Sequence, residues 1–150
     1  MSLTGALFSF NGRLARLPFF GYCALLLFFC FLVGAGAVGI RAETREGGAA
    51  LGVVLLAVLV GVISCGLSLT IKRLHDMGLA GTHAIWIYGN VAGVALAPSL
   101  SILFDLAVGG VFLWLCLAAG QPHSNHYGPV PGTALLPDLR SQAPRLHLGR

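Results

Sequence analysis

Charge is what this sequence has least of. Only 9% of its 150 residues are Asp, Glu, Lys or Arg, against about 25% in a soluble domain. So small a charged fraction does not cover a water-facing surface. The same scarcity beside 57% hydrophobic residues excludes intrinsic disorder, which pairs high charge with low apolar content. Cysteine is scarce too. Cys23, Cys30, Cys65 and Cys116 are the four; they show no C-x-x-C spacing and no cluster with histidine, which argues against a disulfide framework or a zinc site. They read as small polarizable packing residues.

The charges that exist leave long gaps. None falls in residues 17–40, 47–71, 77–104 or 106–137. A bilayer core of about 30 Å needs roughly 20 apolar residues of helix, and the first two gaps each supply one span. Their apolar residues surround the helix instead of forming a stripe, as expected where a helix meets lipid. Backbone groups in lipid are satisfied only in helices or closed barrels, and the alternation of barrel strands is missing. The expectation is an all-α, polytopic transmembrane bundle of four spans, at about 17–40, 48–71, 83–97 and 100–119. Pro98 supplies the break between the last two, because proline cannot continue the backbone ladder. A turn near Asp105 is the alternative, giving a longer third helix and a shorter fourth. Residues 1–120 then form the membrane domain with a short N-terminal segment, and 121–150 a flexible tail carrying Pro122, Pro129, Pro131, Pro137 and Pro144.

Orientation follows from Lys and Arg in the short connections. With four spans, Arg13, Arg16, Lys72, Arg73, Arg140, Arg145 and Arg150 share one side, and only Arg41 and Arg45 lie on the other. Both termini are therefore expected in the cytoplasm. Ala35-Gly36-Ala37 resembles a signal-peptide cleavage site, but the apolar run is longer than the usual signal core of about 7–15 residues and three more follow it.

Three polar segments on the expected cytoplasmic side hold the unusual residues. The first, Phe8-Ser9-Phe10-Asn11-Gly12-Arg13-Leu14-Ala15-Arg16, has an Asn-Gly turn signal and two arginines three apart. It reads either as an anchor to lipid phosphates or as the donor of an ion pair from Arg13 or Arg16 to Asp76, near the surface and so contributing about 0–1 kcal/mol. The second, residues 71–83, places Lys72 and Arg73 at the negative end of helix two, then His75 and Asp76, then Gly78 and Gly81 for the reversal. His75 and Asp76 are adjacent and so point in different directions on a helix; with no nucleophile around them they read as a salt-bridge hub before they read as acid-base machinery. The third, Gln121-Pro122-His123-Ser124-Asn125-His126-Tyr127-Gly128-Pro129, offers two histidines, too few for a metal without carboxylate or thiolate company.

Together these segments resemble the domain-of-unknown-function 805 family of small bacterial inner-membrane proteins. Phe10-x-Gly12-Arg13-x-x-Arg16 looks like one of its signatures, Lys72-Arg73-Leu74-His75-Asp76-x-Gly78-x-x-Gly81 like a second, and Asn125-x-Tyr127-Gly128-Pro129 is similar to its usual ending. The resemblance covers about residues 8–131. Phe20 stands where tryptophan is common, Lys72 where arginine is usual, Ala80 where serine is usual and Thr82 where tryptophan is usual. The resemblance implies a polytopic helical protein of the bacterial inner membrane and no particular reaction.

Within the spans, Gly48-x-x-x-Gly52 and Gly89-x-x-x-Gly93 allow close helix approach, either inside the bundle or between copies in a homo-oligomer. Asn90 and Asp105 are the polar intruders; an acid inside the membrane is a functional candidate because its charge is costly there. The leading expectation is a non-enzymatic membrane component whose basic cytoplasmic face, marked by Arg13, Arg16, Lys72, Arg73, His75, Asp76, Asn125, Tyr127 and Gly128, contacts anionic lipid headgroups or a membrane protein partner. A small oligomeric transporter or channel using Asp105 and Asn90 is the alternative, and an enzyme dependent on His75 comes third. Neither a cofactor, a metal nor nucleic acid is expected.

Overall fold

The computed structural model describes residues 7–43, 48–89 and 101–132. Helix α1 runs Arg16–Glu43 and helix α2 runs Gly48–Asp76. A 3-10 turn, Gly81–His83, leads into helix α3, described over residues 84–89, and helix α4 is Ser101–Leu117. Strands are absent among the described residues apart from one isolated bridge between Asn125 and Gly128. The helices fall where the charge gaps lie. The turn between α3 and α4, whether at Pro98 or elsewhere, lies outside the described residues, as does Asn90.

Local chemistry sets the helix ends. Pro18 falls in the first turn of α1, where its missing N–H has no partner to lose, and Phe19 N–H makes its bond to the Ala15 carbonyl. α2 closes in the double hydrogen bond of a Schellman motif: Leu79 N–H donates to Leu74 O at 2.9 Å and Gly78 N–H to His75 O at 3.1 Å. That motif needs a left-handed residue, and Gly78 supplies it at φ +78°. Leu79, the residue after it, packs on the buried cluster containing Leu74, as the motif requires.

Burial is concentrated at one end. α1 and α2 have spans of 25 and 29 residues long and apolar enough to cross a membrane. Over most of their length their large side chains are exposed: Leu25, Phe28, Phe31 and Val38 on α1, Val53, Leu56 and Val60 on α2. In water such a surface would drive association; in lipid it needs no cover. The buried cluster is Phe19, Tyr22, Leu69, Leu74, Ala84 and Leu115, all near the end of the bundle where α1 begins and α2 and α4 finish. From Ser68 to the end of α2, every residue but Ile71 is buried, so this last stretch is wrapped by protein on all sides.

The glycine motifs do not supply that packing. A Cβ added at Gly48, Gly52 or Gly89 would meet nothing within 4 Å, so these three line no helix contact among the described residues, contrary to the expectation of close approach inside the bundle; Gly93 lies outside the described residues. Close approach occurs at Gly66, where an added Cβ would stand 2.8 Å from the Tyr88 hydroxyl.

Because Leu74 is 1% exposed and sits beyond the apolar stretch of α2, its truncation is expected to cost what a water-soluble core would lose. Leu74→Ala should lower unfolding free energy by about 2–5 kcal/mol, read by denaturant titration of the detergent-solubilised chain, while Leu56→Ala, on the exposed face, should change it little.

Candidate functional site

The polar end of the bundle is built around Asp76, the last residue of α2. Its carboxylate lies between two guanidinium groups. Arg13 donates to Oδ1 from Nη2 at 3.0 Å and from Nε at 3.2 Å; Arg73 reaches Oδ2 at 2.5 Å. The ion pair expected from the N-terminal segment to Asp76 is thus made, and Arg13 makes it. Its setting differs from the expectation. Side-chain exposure is 1% for Arg13, 0% for Arg73 and 5% for Asp76, so this is a buried cluster and the surface-pair energy does not apply.

Burying two cations against one anion is tolerable only if their other N–H groups find acceptors. Backbone carbonyls provide them. Arg13 donates from Nη2 to Gln121 O at 2.6 Å and from Nη1 to His123 O at 2.7 Å. Arg73 donates from Nε to Leu115 O at 2.8 Å and from Nη2 to Ala118 O. Leu115 is in the last turn of α4, where carbonyls have no intrahelical partner, so Arg73 caps α4 and meets the negative end of its dipole. The terminal carbonyl of α2 is covered likewise: Gln121 N–H donates to Asp76 O at 2.8 Å. No buried side-chain nitrogen or oxygen among the described residues is left without a partner.

The N-terminal segment is laid along one face of α2. Ser68 Oγ donates to Ser9 O at 2.7 Å, Leu14 N–H to Lys72 O at 3.1 Å, and His75 Nδ1 to Gly12 O at 3.2 Å. Since a carbonyl only accepts, the imidazole carries its proton on Nδ1. The residues of α2 involved, 68, 72, 75 and 76, recur at helical spacing. On its other side the segment after α4 folds back. Asn125 Nδ2 donates to His75 O at 3.0 Å and to Gln121 Oε1 at 2.8 Å, while its Oδ1 receives Tyr127 N–H at 3.0 Å. The Tyr127 ring stacks flat on His75, centroids 3.7 Å apart and planes 6° from parallel. Where the sequence starts a mobile tail at residue 121, residues 121–128 are held in the cluster; residues 133–150 lie outside the described residues.

Glycine permits this compactness. The positive-φ residues Gly12, Gly78 and Gly128 fall one in each of the three polar segments. Gly120 has a different duty: a Cβ there would run into the Asp76 carboxylate, so the chain leaving α4 passes directly over the acid.

Of the site residues expected from sequence, Arg13, Arg73, His75, Asp76, Asn125, Tyr127 and Gly128 come together. Lys72 joins through its backbone, with its side chain buried. Arg16 does not join; it begins α1 and is exposed. Asp105 lies in the second turn of α4, exposed and remote in sequence from the cluster. His126 leans on the outer side of Tyr127, and His123 takes part by its carbonyl alone. The carbonyls of Leu115, Ala118, Gln121 and His123 have no sequence signal, since any residue carries one. Gly120 had one, a glycine just past the end of a helix.

Burial holds the His75 imidazole below its ordinary value; the bond to Gly12 opposes this, and facing His126 adds to it. The cluster can therefore hold segments together around a His75 that favours its neutral form. Its acid and its two buried guanidinium groups are occupied with one another.

The model of the family described as protein of unknown function, DUF805, matches residues 7–129. These limits run from the first described residue of the N-terminal segment to just past Gly128. No curated protein matches the chain. No solved structure matches it either.

Two kinds of outcome are expected from this geometry, the first from substitutions in the cluster. Asp76→Asn, which leaves two buried guanidinium groups without their anion, should cost about 3–5 kcal/mol in denaturant unfolding. Arg13→Lys should recover little of what Arg13→Ala loses, because an ammonium has three donors in place of a five-donor fork. The second outcome concerns pH. With His75 lowered in the folded chain, the unfolded chain binds the proton more readily, so stability is full above the ordinary value of 6.5 and declines as pH falls below it. Unfolding midpoints measured from about pH 7.5 to 5.5 should fall in the native chain and fall less in His75→Gln.

Proposed function

The chain belongs to the DUF805 family, and from that premise we propose that it is a four-span component of the bacterial inner membrane, with both termini in the cytoplasm and no catalytic turnover, whose polar end rests at the cytoplasmic headgroup level and contacts anionic lipid. One observation carries this reading: the charged residues that could do chemistry are closed on themselves. Asp76 is shared by Arg13 and Arg73, and His75 is held by Gly12 and covered by Tyr127. What remains on the outside of that end is of another kind. Phe8, Phe10, Phe20 and Trp86 are exposed around it, together with Arg16. Aromatic rings and arginine are the residues that seat a protein at a membrane–water interface. The excess of Lys and Arg on this side supports its cytoplasmic placement.

The transporter or channel reading has less support. Asn90 lies outside the described residues, and Asp105 is exposed on α4 with no ion pair among them. A protein partner at the same rim is an outcome of the test below.

Reporter fusions to both ends should place both in the cytoplasm; a C-terminus on the far side makes the number of spans odd and ends the four-span reading. Photo-crosslinkers replacing Phe8 and Phe10 in native membranes should give lipid adducts. Adducts with protein alone, or labelling only by water-soluble probes, would overturn the headgroup contact.

A further inference from the structure

Beneath the Asp76 cluster, on the membrane side, the four helices leave a cavity of about 270 Å³ that is open along one side. Phe19 and Leu26 of α1, Thr70 of α2, Tyr88 of α3, and Phe112 and Leu115 of α4 form its walls. The lining is almost wholly apolar. Its two hydroxyl side chains are engaged with each other, Tyr88 being hydrogen-bonded to Thr70. Interiors are close-packed, and a void forfeits the dispersion contacts of its lining. In a bilayer the material at hand to fill it is hydrocarbon.

One turn of α1 beyond the Phe19 end of this cavity is an arginine that the Asp76 cluster does not use. Arg16, Phe19, Cys23 and Leu26 follow one another at steps of three, four and three, which puts them on one face of α1. The last three line the cavity; Arg16 is one turn nearer the polar end. It is exposed and makes no hydrogen bond or ion pair among the described residues. It is also close enough to Arg73 for their positive charges to repel, so an anion placed there gains from both. A planar guanidinium suits phosphate oxygens in particular.

We propose that this chain binds one anionic phospholipid specifically, with an acyl chain in the cavity between the four helices and the phosphate on Arg16. The proposal rests on the reading that the polar end lies at headgroup level, and narrows it from general lipid contact to a single built site. An apolar cavity along α1 with a guanidinium on the same helix face one turn beyond it commits the ligand to a lipid over free phosphate, which would use the guanidinium alone.

The test is native mass spectrometry of the full-length chain released from mixed micelles of phosphatidylglycerol and phosphatidylcholine. The expected result is one tightly retained phosphatidylglycerol, preferred over phosphatidylcholine by about tenfold; both lipids offer a phosphate to Arg16, and the difference is the choline cation, whose repulsion by arginine near a protein surface is on this scale. Arg16→Gln, at an exposed position, should abolish the preference while leaving unfolding unchanged. Val108→Phe, which fills the cavity from α4, should lower retention of both lipids, and millimolar inorganic phosphate should not displace the lipid. Equal retention of the two headgroups by the native chain overturns the proposal without use of any variant. So does an unchanged preference in Arg16→Gln, or displacement by inorganic phosphate. If lipid adducts at Phe8 and Phe10 persist while no single lipid is retained, the site alone is wrong; if both are lost, the headgroup placement fails with it.

Discussion

A carboxylate at the end of one helix, gripped by two guanidinium groups out of reach of water, is the arrangement on which the rest of the molecule depends. Its Coulomb attraction alone does not make it viable. Desolvating three charges costs several kcal/mol each, and an ion triad of this kind is often matched in stability by well-packed apolar residues. The compensation comes from the backbone. α2 and α4 both finish at this point, and both bring carbonyl groups that their own helices cannot satisfy. The second positive charge, which Asp76 cannot neutralise, lies against the carbonyls of Leu115, Ala118, Gln121 and His123. Two converging negative helix ends thus take the place of a second acid.

This matters more in a bilayer than it would in water. Between apolar helices in lipid there is no hydrophobic force, since the tails are as apolar as the side chains, and association rests on packing and polar contacts. The structure divides along that line. Far from Asp76 the helices expose leucine, valine and phenylalanine and approach one another loosely; the open surroundings of Gly48, Gly52 and Gly89 belong to this region. Near Asp76 the chain is buried on every side and segments more than 100 residues apart are joined by hydrogen bonds of one arginine, as from Arg13 to Gln121. The polar cluster decides which helices meet, and Phe19, Leu74 and Leu115 then pack in the space it defines.

Much of this was legible in the sequence, for reasons that differ from residue to residue. The helices could be read because a span must be long and free of charge, and residues 17–40 and 48–71 are both. Asp76 was legible as a hub because it is the one acid in a polar segment otherwise basic, facing a second basic segment with no acid of its own. The choice between Arg13 and Arg16 was not legible. Spacing makes them equivalent on a continuous helix, and the helix in fact starts at Arg16. Nor could burial be foreseen, because what buries the cluster is the backbone of 118–128, and that segment's Pro122 and two histidines resemble a solvated tail. The contribution of a carbonyl group is independent of the side chain attached to it, so a site capped by carbonyls leaves its ligands unmarked. The glycines were legible as glycines but ambiguous in purpose: Gly78, Gly120 and Gly128 serve the cluster, whereas those spaced for helix contact serve no contact among the described residues.

The contrast between Arg13 and Arg16 shows how little separates a structural charge from an available one. Both are arginines in the same short segment, three residues apart. Arg13 follows Gly12, whose left-handed φ of +97° turns the chain onto the end of α2, and there its donors meet the Asp76 carboxylate and the carbonyls of Gln121 and His123. Arg16 follows once the backbone has become helical, and a helix holds its side chains outward along fixed faces. Its face is the one that continues into Phe19, Cys23 and Leu26. An arginine exchanged between these two positions would find neither the carbonyls at one nor the apolar wall at the other. The turn at Gly12 therefore divides the basic segment by function: the charge before the helix is consumed in assembling the fold, and the charge that opens the helix remains available to whatever lies beside it in the membrane.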